Sequence, residues 1–110
     1  MRQVLEAGLP ALGLDTAAIP ALERFAEMLL QRNRVMNLTA ITEPRDVAAL
    51  HLLDSLALIS RAGLEDGSAV DVGTGAGFPG LPLAIVRPRL QVTLLDSLGK
   101  RVGFLREVCE

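Results

Sequence analysis

The chain has 110 residues, with 11 basic and 13 acidic side chains, a net charge of −2, one cysteine, three phenylalanines and no tryptophan or tyrosine. That length suits one domain, or one domain with an appendage. The lone Cys109 excludes a disulfide scaffold, the apolar runs fall short of the roughly 18 to 20 residues that cross a bilayer, and so few aromatics leave little with which to stack on bases.

The first ten residues, MRQVLEAGLP, carry Arg2 and an early Glu6 and lack the sustained apolar region of a signal peptide. A soluble, reducing, cytoplasmic setting is therefore the expectation. Residues 2–8 predict a short first helix ended by Gly8 and Pro10. A second begins after Asp15 or Thr16, either of which can cap it, and tolerates Pro20 in its opening turn. Ile19, Leu22, Phe25, Ala26, Leu29 and Leu30 give it one apolar face at three-four spacing. Asn37 and two threonines break it in MNLTAIT (36–42), which can run extended. A third helix starts near Pro44, with Asp46 close to its positive end, and runs to about Ser60. Ala49, Leu52, Leu53, Leu56 and Ile59 form its predicted buried stripe.

Near Gly63 the texture changes to strand, glycine turn, helix, strand, helix. AVDV (69–72) and QVTLL (91–95) are the strands, and Leu81 to Val86 is a short helix stopped by Pro88. Ser97 can cap a final helix whose Leu98, Val102, Leu105 and Val108 share a face. The alternation predicts a parallel α/β sheet. The expectation is an incomplete Rossmann-like domain over residues 63–110, preceded by a helical N-terminal extension over residues 1–62. Two strands cannot bury both faces of a parallel sheet. Charge gives no lead, since residues 1–62 hold six basic and seven acidic groups and residues 63–110 five and six.

The chemistry concentrates in VDVGTGAGFPG, residues 70–80, and in Asp96. Gly73, Gly75 and Gly77 allow a tight turn and close approach of a ligand. The loop amides are expected to face a crevice at the strand's carboxyl end. Asp96 ends the next strand, where its carboxylate can accept from both hydroxyls of a ribose. Gly75, Gly77 and Gly80 satisfy the G-x-G-x-x-G dinucleotide pattern. However, the apolar residues Val70 and Val72 run straight into Gly73, which gives D-x-G-x-G-x-G, the loop associated with S-adenosylmethionine. Asp71 suits the ammonium and sulfonium of that cofactor and would repel a pyrophosphate. Pro79 removes one N–H from the helix start, weakening a phosphate site. A nicotinamide or flavin is the rival ligand, and a bare glycine turn the rival to both.

Elsewhere the sequence leaves paired readings open. His51 and Asp54 are either a substrate-side polar cluster or a hydrogen-bonded structural pair. Asn33 and Asn37 either bridge to the cofactor crevice or cap a helix. Lys100, Arg101 and Arg106 either meet RNA phosphates or are solvated surface. Cys109 reads as a small apolar core residue. Metal binding is not expected, since His51 has no second histidine or usable cysteine beside it.

DVGTGAGFPGLPLAIVRP (71–88), LLDSLGKRVGFL (94–105), RNRVMNLTAI (32–41) and HLLDSLAL (51–58) resemble, in order, the bacterial glucose-inhibited division protein B family. The resemblance spans nearly the whole chain. It implies a class I methyltransferase that modifies N7 of a guanine in small-subunit ribosomal RNA, using S-adenosyl-L-methionine. It also implies that Gly73 and Phe78 touch the cofactor, that Gly75 and Gly77 shape the loop, and that Asp96 lies near the ribose. Leu50 and Gly103 depart from the family, standing where a basic residue and a long polar residue are usual. Family members continue through further strands that supply adenine contacts and RNA surface. The 110 residues alone are therefore expected to be inactive, with a non-catalytic cofactor- or RNA-binding piece as the alternative and a nicotinamide oxidoreductase fragment behind it.

Overall fold

The computed structural model describes residues 1–63, 67–96 and 99–109. Helix α1 spans Arg2–Ala11 and runs through both Gly8 and Pro10, past its predicted end. Pro10 sits in the last turn, so the one helical bond it removes, to the Glu6 carbonyl, lies at the helix end, and the helix closes instead at Gly13. With φ of +75° there, Gly13 donates to the Pro10 carbonyl and Leu14 to the Leu9 carbonyl, each at 2.9 Å. This is the paired-bond glycine termination of helices, and the two leucines that flank it, Leu9 and Leu14, are both buried in the core. Gly8 instead serves packing, since a β-carbon there would collide with the Leu53 side chain.

Asp15 accepts from the Ala17 amide at 2.9 Å and opens a 3₁₀ turn, Thr16–Ala18, that leads into α2, Ile19–Met36. Ile19, Leu22, Phe25, Ala26 and Leu29 are buried as the spacing predicts, and Asn33 joins them. Leu30 is half-buried. Asn37, in the left-handed region at φ 52°, ends the helix. The following residues are irregular rather than strand.

The third helical stretch comprises α3, Pro44–Asp46, a wide i→i+5 winding over Val47–Leu53, and α4, Asp54–Ala62. The wide turn moves the predicted stripe. Val47, Ala48, Leu52, Leu56 and Ile59 are buried, whereas Ala49 and Leu53 are half-buried. Val47 and Leu52 stand five apart because one extra residue is wound into that turn.

Strand β1, Gly67–Val72, pairs in parallel with β2, Leu90–Leu95, in a register that sets Ala69 beside Val92 and Asp71 beside Leu94. Between them lies α5, Gly80–Val86, and after them α6, Gly99–Cys109. Ser97 and Leu98, the predicted cap and first apolar position of that helix, lie outside the described residues. Leu105 is buried and Val102 and Val108 half-buried, but the deepest side chain of α6 is Phe104. Cys109 is exposed, correcting its reading as a core residue. It follows Val108 by one position, about 100° round a helix, and so turns off the packed face.

Both sequence textures feed one core, in which Leu5, Leu22 and Phe25 from the helical half join Leu83, Leu90 and Phe104. Burying each such side chain stabilises the fold by about 1.5–3 kcal/mol. The inward sheet face, Ala69, Val92 and Leu94, packs on that core. The opposite face leaves Val70, Val72 and Leu95 exposed, so one sheet face is covered and one is open.

Candidate functional site

The glycine loop leaves β1 at Gly73 and enters α5 at Gly80, and it is tied down on three sides. The Gly73 and Thr74 amides donate to the Leu95 carbonyl at 2.7 and 3.0 Å. The Gly75 amide donates to Asp96 Oδ2 at 2.8 Å. Those of Gly77 and Phe78 donate to the Thr74 carbonyl at 3.0 and 3.2 Å, and that of Gly80 to Asp71 Oδ2 at 3.0 Å. These amides are consumed within the protein instead of facing the crevice, as the sequence reading had them. A loop braced by its own flanking carboxylates is not a phosphate cradle, because such a cradle needs its N–H groups turned to the ligand.

Asp71 and Asp96 stand at or near the carboxyl ends of adjacent strands and brace the loop from either side. Asp71 Oδ2 also accepts from the Thr74 hydroxyl at 2.6 Å. Thr74 is 3% exposed. Its only signal in the sequence is a hydroxyl three residues after a strand-end carboxylate, which the D-x-G-x-G-x-G pattern leaves as an unspecified position. The Asp96 side chain is 3% exposed, and its Oδ2 also lies 3.5 Å from the Arg101 guanidinium. Arg101, read as a possible phosphate contact, is thus occupied with Asp96; Arg106 is exposed.

Gly73 and Gly75 have φ of +70° and +60°, and a β-carbon at either would meet open space. Gly77 differs, since its β-carbon would collide with Leu81 and press on Leu105 at 3.3 Å. The first two glycines therefore leave the loop's outer surface bare, while the third lets the loop lie against α5 and α6.

Phe78 turns towards the helical half. Its ring stacks on His51 at 4.3 Å between centroids and 9° between planes, and tilts against Phe25 at 5.3 Å. His51 Nε2 lies 2.8 Å from Thr39 Oγ1, which in turn accepts from the Ile41 amide at 3.1 Å. The Asn33 side-chain oxygen accepts from the Thr39 amide at 2.8 Å. His51 is thus hydrogen-bonded to Thr39, not to Asp54 as the structural alternative had it. Asn33 secures the turn after α2, and Asn37 terminates that helix. Burial pushes the His51 imidazole below its usual pKa, with Asp54 pulling weakly the other way.

Beside this stack lies a cavity of about 340 Å³ whose walls include His51, Asp54, Arg61, Phe78 and Pro79. A more apolar cleft of about 580 Å³ runs between α5, β2 and α6, past Ala84, Val92 and Val102. Among the described residues, no group of three His, Cys, Asp or Glu side chains is placed to hold a metal, and no helix is long and apolar enough to cross a membrane.

Residues 18–110 match the family profile described as GidB, rRNA small subunit methyltransferase G. Proteins named ribosomal RNA small subunit methyltransferase G are similar along most of the chain. That of Alkaliphilus metalliredigens is 48% identical over 112 aligned residues, covering 99% of this chain and 47% of the relative. Those of Xanthomonas oryzae and Stenotrophomonas maltophilia are each 50% identical over 103, covering 94% of this chain and 48% of the relative. The chain spans about half the length of these relatives.

Proposed function

The chain belongs to the GidB family of small-subunit rRNA methyltransferases, and from that premise we propose that it carries the S-adenosylmethionine-binding part of a guanine-N7 methyltransferase acting on small-subunit ribosomal RNA. The fold we assign is the opening strand–helix–strand–helix of a Rossmann-like class I domain, residues 63–110, behind a helical extension, residues 1–62. The cytoplasm is the compartment that such a substrate implies.

The observation that carries this reading is the pair of carboxylates bracing a bare glycine loop. Negative charge at Asp71 and Asp96 suits a ligand with an ammonium and a sulfonium and opposes a pyrophosphate. The loop amides, already spent on Leu95, Thr74, Asp71 and Asp96, offer little to a dinucleotide. This counts against the nicotinamide alternative. The open space outside Gly73 and Gly75 is where the ligand fits, and we place Asp96 nearest the ribose. Phe78 then acts through the wall it builds with His51 rather than chiefly by touching cofactor.

When bound, S-adenosylmethionine supplies an electrophilic methyl group. Guanine N7 has a free lone pair and no proton to lose, so the residues around the site need no general base. Their work is to bind, to orient and to keep N7 in line with the methyl group, and the acidic loop edge tolerates the cationic base that forms. N7 is hidden in the narrow groove of A-form RNA, so the substrate is a splayed or single-stranded guanosine.

Two measurements test the reading. Isothermal titration of the 110-residue chain should detect S-adenosylhomocysteine and not NAD; the reverse preference would refute the cofactor assignment. Deleting the gene that encodes the chain should remove one 7-methylguanine from small-subunit rRNA, read by mass spectrometry of its nucleosides. An unchanged 7-methylguanine content would refute the substrate assignment.

A further inference from the structure

We infer that the cavity between α4 and the end of the glycine loop is the seat of the guanine base itself, with the Asp54 carboxylate reading its Watson–Crick edge. This rests on the methyltransferase reading above and adds to it the residues that choose the base.

Leu50, Asp54, Leu58 and Arg61 follow one another at spacings of four, four and three along the helical stretch, so they form a single line along it. All four line the cavity. Leu50 and Leu58 are 58% and 38% exposed, which leaves aliphatic surface along the line on either side of the acid. Opposite them stand Phe78 and Pro79, the last loop residues before α5. The cavity therefore shares a wall with the loop proposed to hold the methyl donor. At about 340 Å³ it is large enough for a small ligand.

The chemistry of the line selects the occupant. A carboxylate accepts hydrogen bonds and donates none. Guanine alone among the RNA bases offers it two adjacent donors, N1–H and the N2 amine. Adenine presents the N1 lone pair, which a carboxylate repels. Aliphatic faces either side of the acid suit the purine ring, and Arg61, at the end of the line, suits the nucleotide's phosphate. The Watson–Crick and N7 edges lie on opposite sides of a purine. Holding guanine by the first turns N7 away from α4 and towards the loop.

The test uses the 110-residue chain with guanosine, inosine and adenosine 5′-monophosphates, and S-adenosylhomocysteine titrated into the same samples. Guanosine monophosphate should bind about tenfold tighter than adenosine monophosphate, the size expected for a hydrogen bond to a charged group. Inosine monophosphate, which keeps N1–H and lacks the N2 amine, should fall between. Asp54→Asn should bring the guanosine-to-adenosine ratio to about one, and Arg61→Gln should weaken both nucleotides equally and leave the ratio alone. Both positions are exposed, and circular dichroism is the check that the variants fold. A wild-type ratio near one, or a ratio that Asp54→Asn leaves intact, would overturn the inference. Failure of S-adenosylhomocysteine to bind, with the guanine preference present, would instead strike the cofactor reading and leave the guanine seat standing.

Discussion

Asp96 and Gly75, 21 residues apart, are joined by a 2.8 Å hydrogen bond from the loop amide to the carboxylate. The side chain that the sequence offers as a ribose acceptor is therefore a buried brace of the loop. Asp96→Ala should cost fold and ligand together. Losing a hydrogen bond to a charged acceptor accounts for about 1.5–3 kcal/mol of unfolding free energy, and the Gly75 amide is released. Asp96→Asn keeps an acceptor oxygen for that amide, so it should recover most of the stability while still binding S-adenosylhomocysteine weakly. Urea denaturation and calorimetric titration on the two variants separate these effects. A stable Asp96→Ala that has lost only affinity would contradict the bracing role.

The glycines of the loop should respond unequally. Gly75 sits at φ +60° with open space where a side chain would go. Gly75→Val is therefore expected to abolish S-adenosylhomocysteine binding while circular dichroism shows the helices intact. Its backbone strain costs about 1–3 kcal/mol, and the branched side chain fills the space in which we propose the ligand binds. Gly77→Ala should destabilise more than Gly75→Ala, because the new methyl group meets Leu81 and Leu105 as well as an unfavourable φ of +107°. Equal melting temperatures for the two alanine variants would count against this account.

The contrast between these glycines explains what was legible in the sequence. Element types and order could be read, because Leu and Ala at three-four spacing and β-branched runs after glycine each have one local solution. The loop was legible for the same reason, since D-x-G-x-G-x-G between a strand and a helix constrains its own backbone. What could not be read were choices made by partners distant in sequence. Gly8 looks like a helix stop, but Leu53 packs against it, and the stop is Gly13. The wide winding over Val47–Leu53 shifts the upstream end of the buried stripe from Ala49 to Val47 and Ala48, and nothing local in VAALHLL announces it. The direction of the Gly73, Thr74 and Gly75 amides depends on Leu95 and Asp96, more than 20 residues away, so the sequence carries the position of the loop but not the direction of those amides.

His51 gives the fold a pH dependence with a definite sign. Burial against Phe78 lowers its folded pKa below the ordinary 6.5, so in the interval between the two values the unfolded chain binds more protons than the folded one. Stability then rises with pH through that interval. The contribution is fully present above 6.5 and is lost as pH falls through 6.5 towards the folded value. Thermal melts between pH about 5.5 and about 7.5 should show wild type losing stability on acidification more steeply than His51→Gln. Parallel pH profiles for the two proteins would remove His51 as the source. The His51 ring resonances, followed by NMR, should titrate below those of an unstructured histidine.

The open face of the sheet leads to a prediction about association. Val70 and Val72 are 61% and 77% exposed and lie beside Thr93 and Leu95 across the parallel pair, with Leu95 itself 48% exposed. Three apolar side chains on one flat face of a two-stranded sheet form a continuous patch that water covers poorly, and such patches drive self-association. The inward face, by contrast, packs on the core, with α5 lying against β2, so the chain should fold while remaining adhesive on one side. Val70→Thr together with Val72→Thr keeps β-branching, and with it the strand preference, while replacing a methyl with a hydroxyl at each position. Sedimentation velocity across a concentration series should show the 110-residue chain associating and the double variant doing so much less. Because both side chains are exposed, their unfolding free energies should agree within about 0.5 kcal/mol per substitution. Association that persists undiminished in the double variant would move the adhesive surface elsewhere, and a large loss of stability would mean that this face is covered in solution.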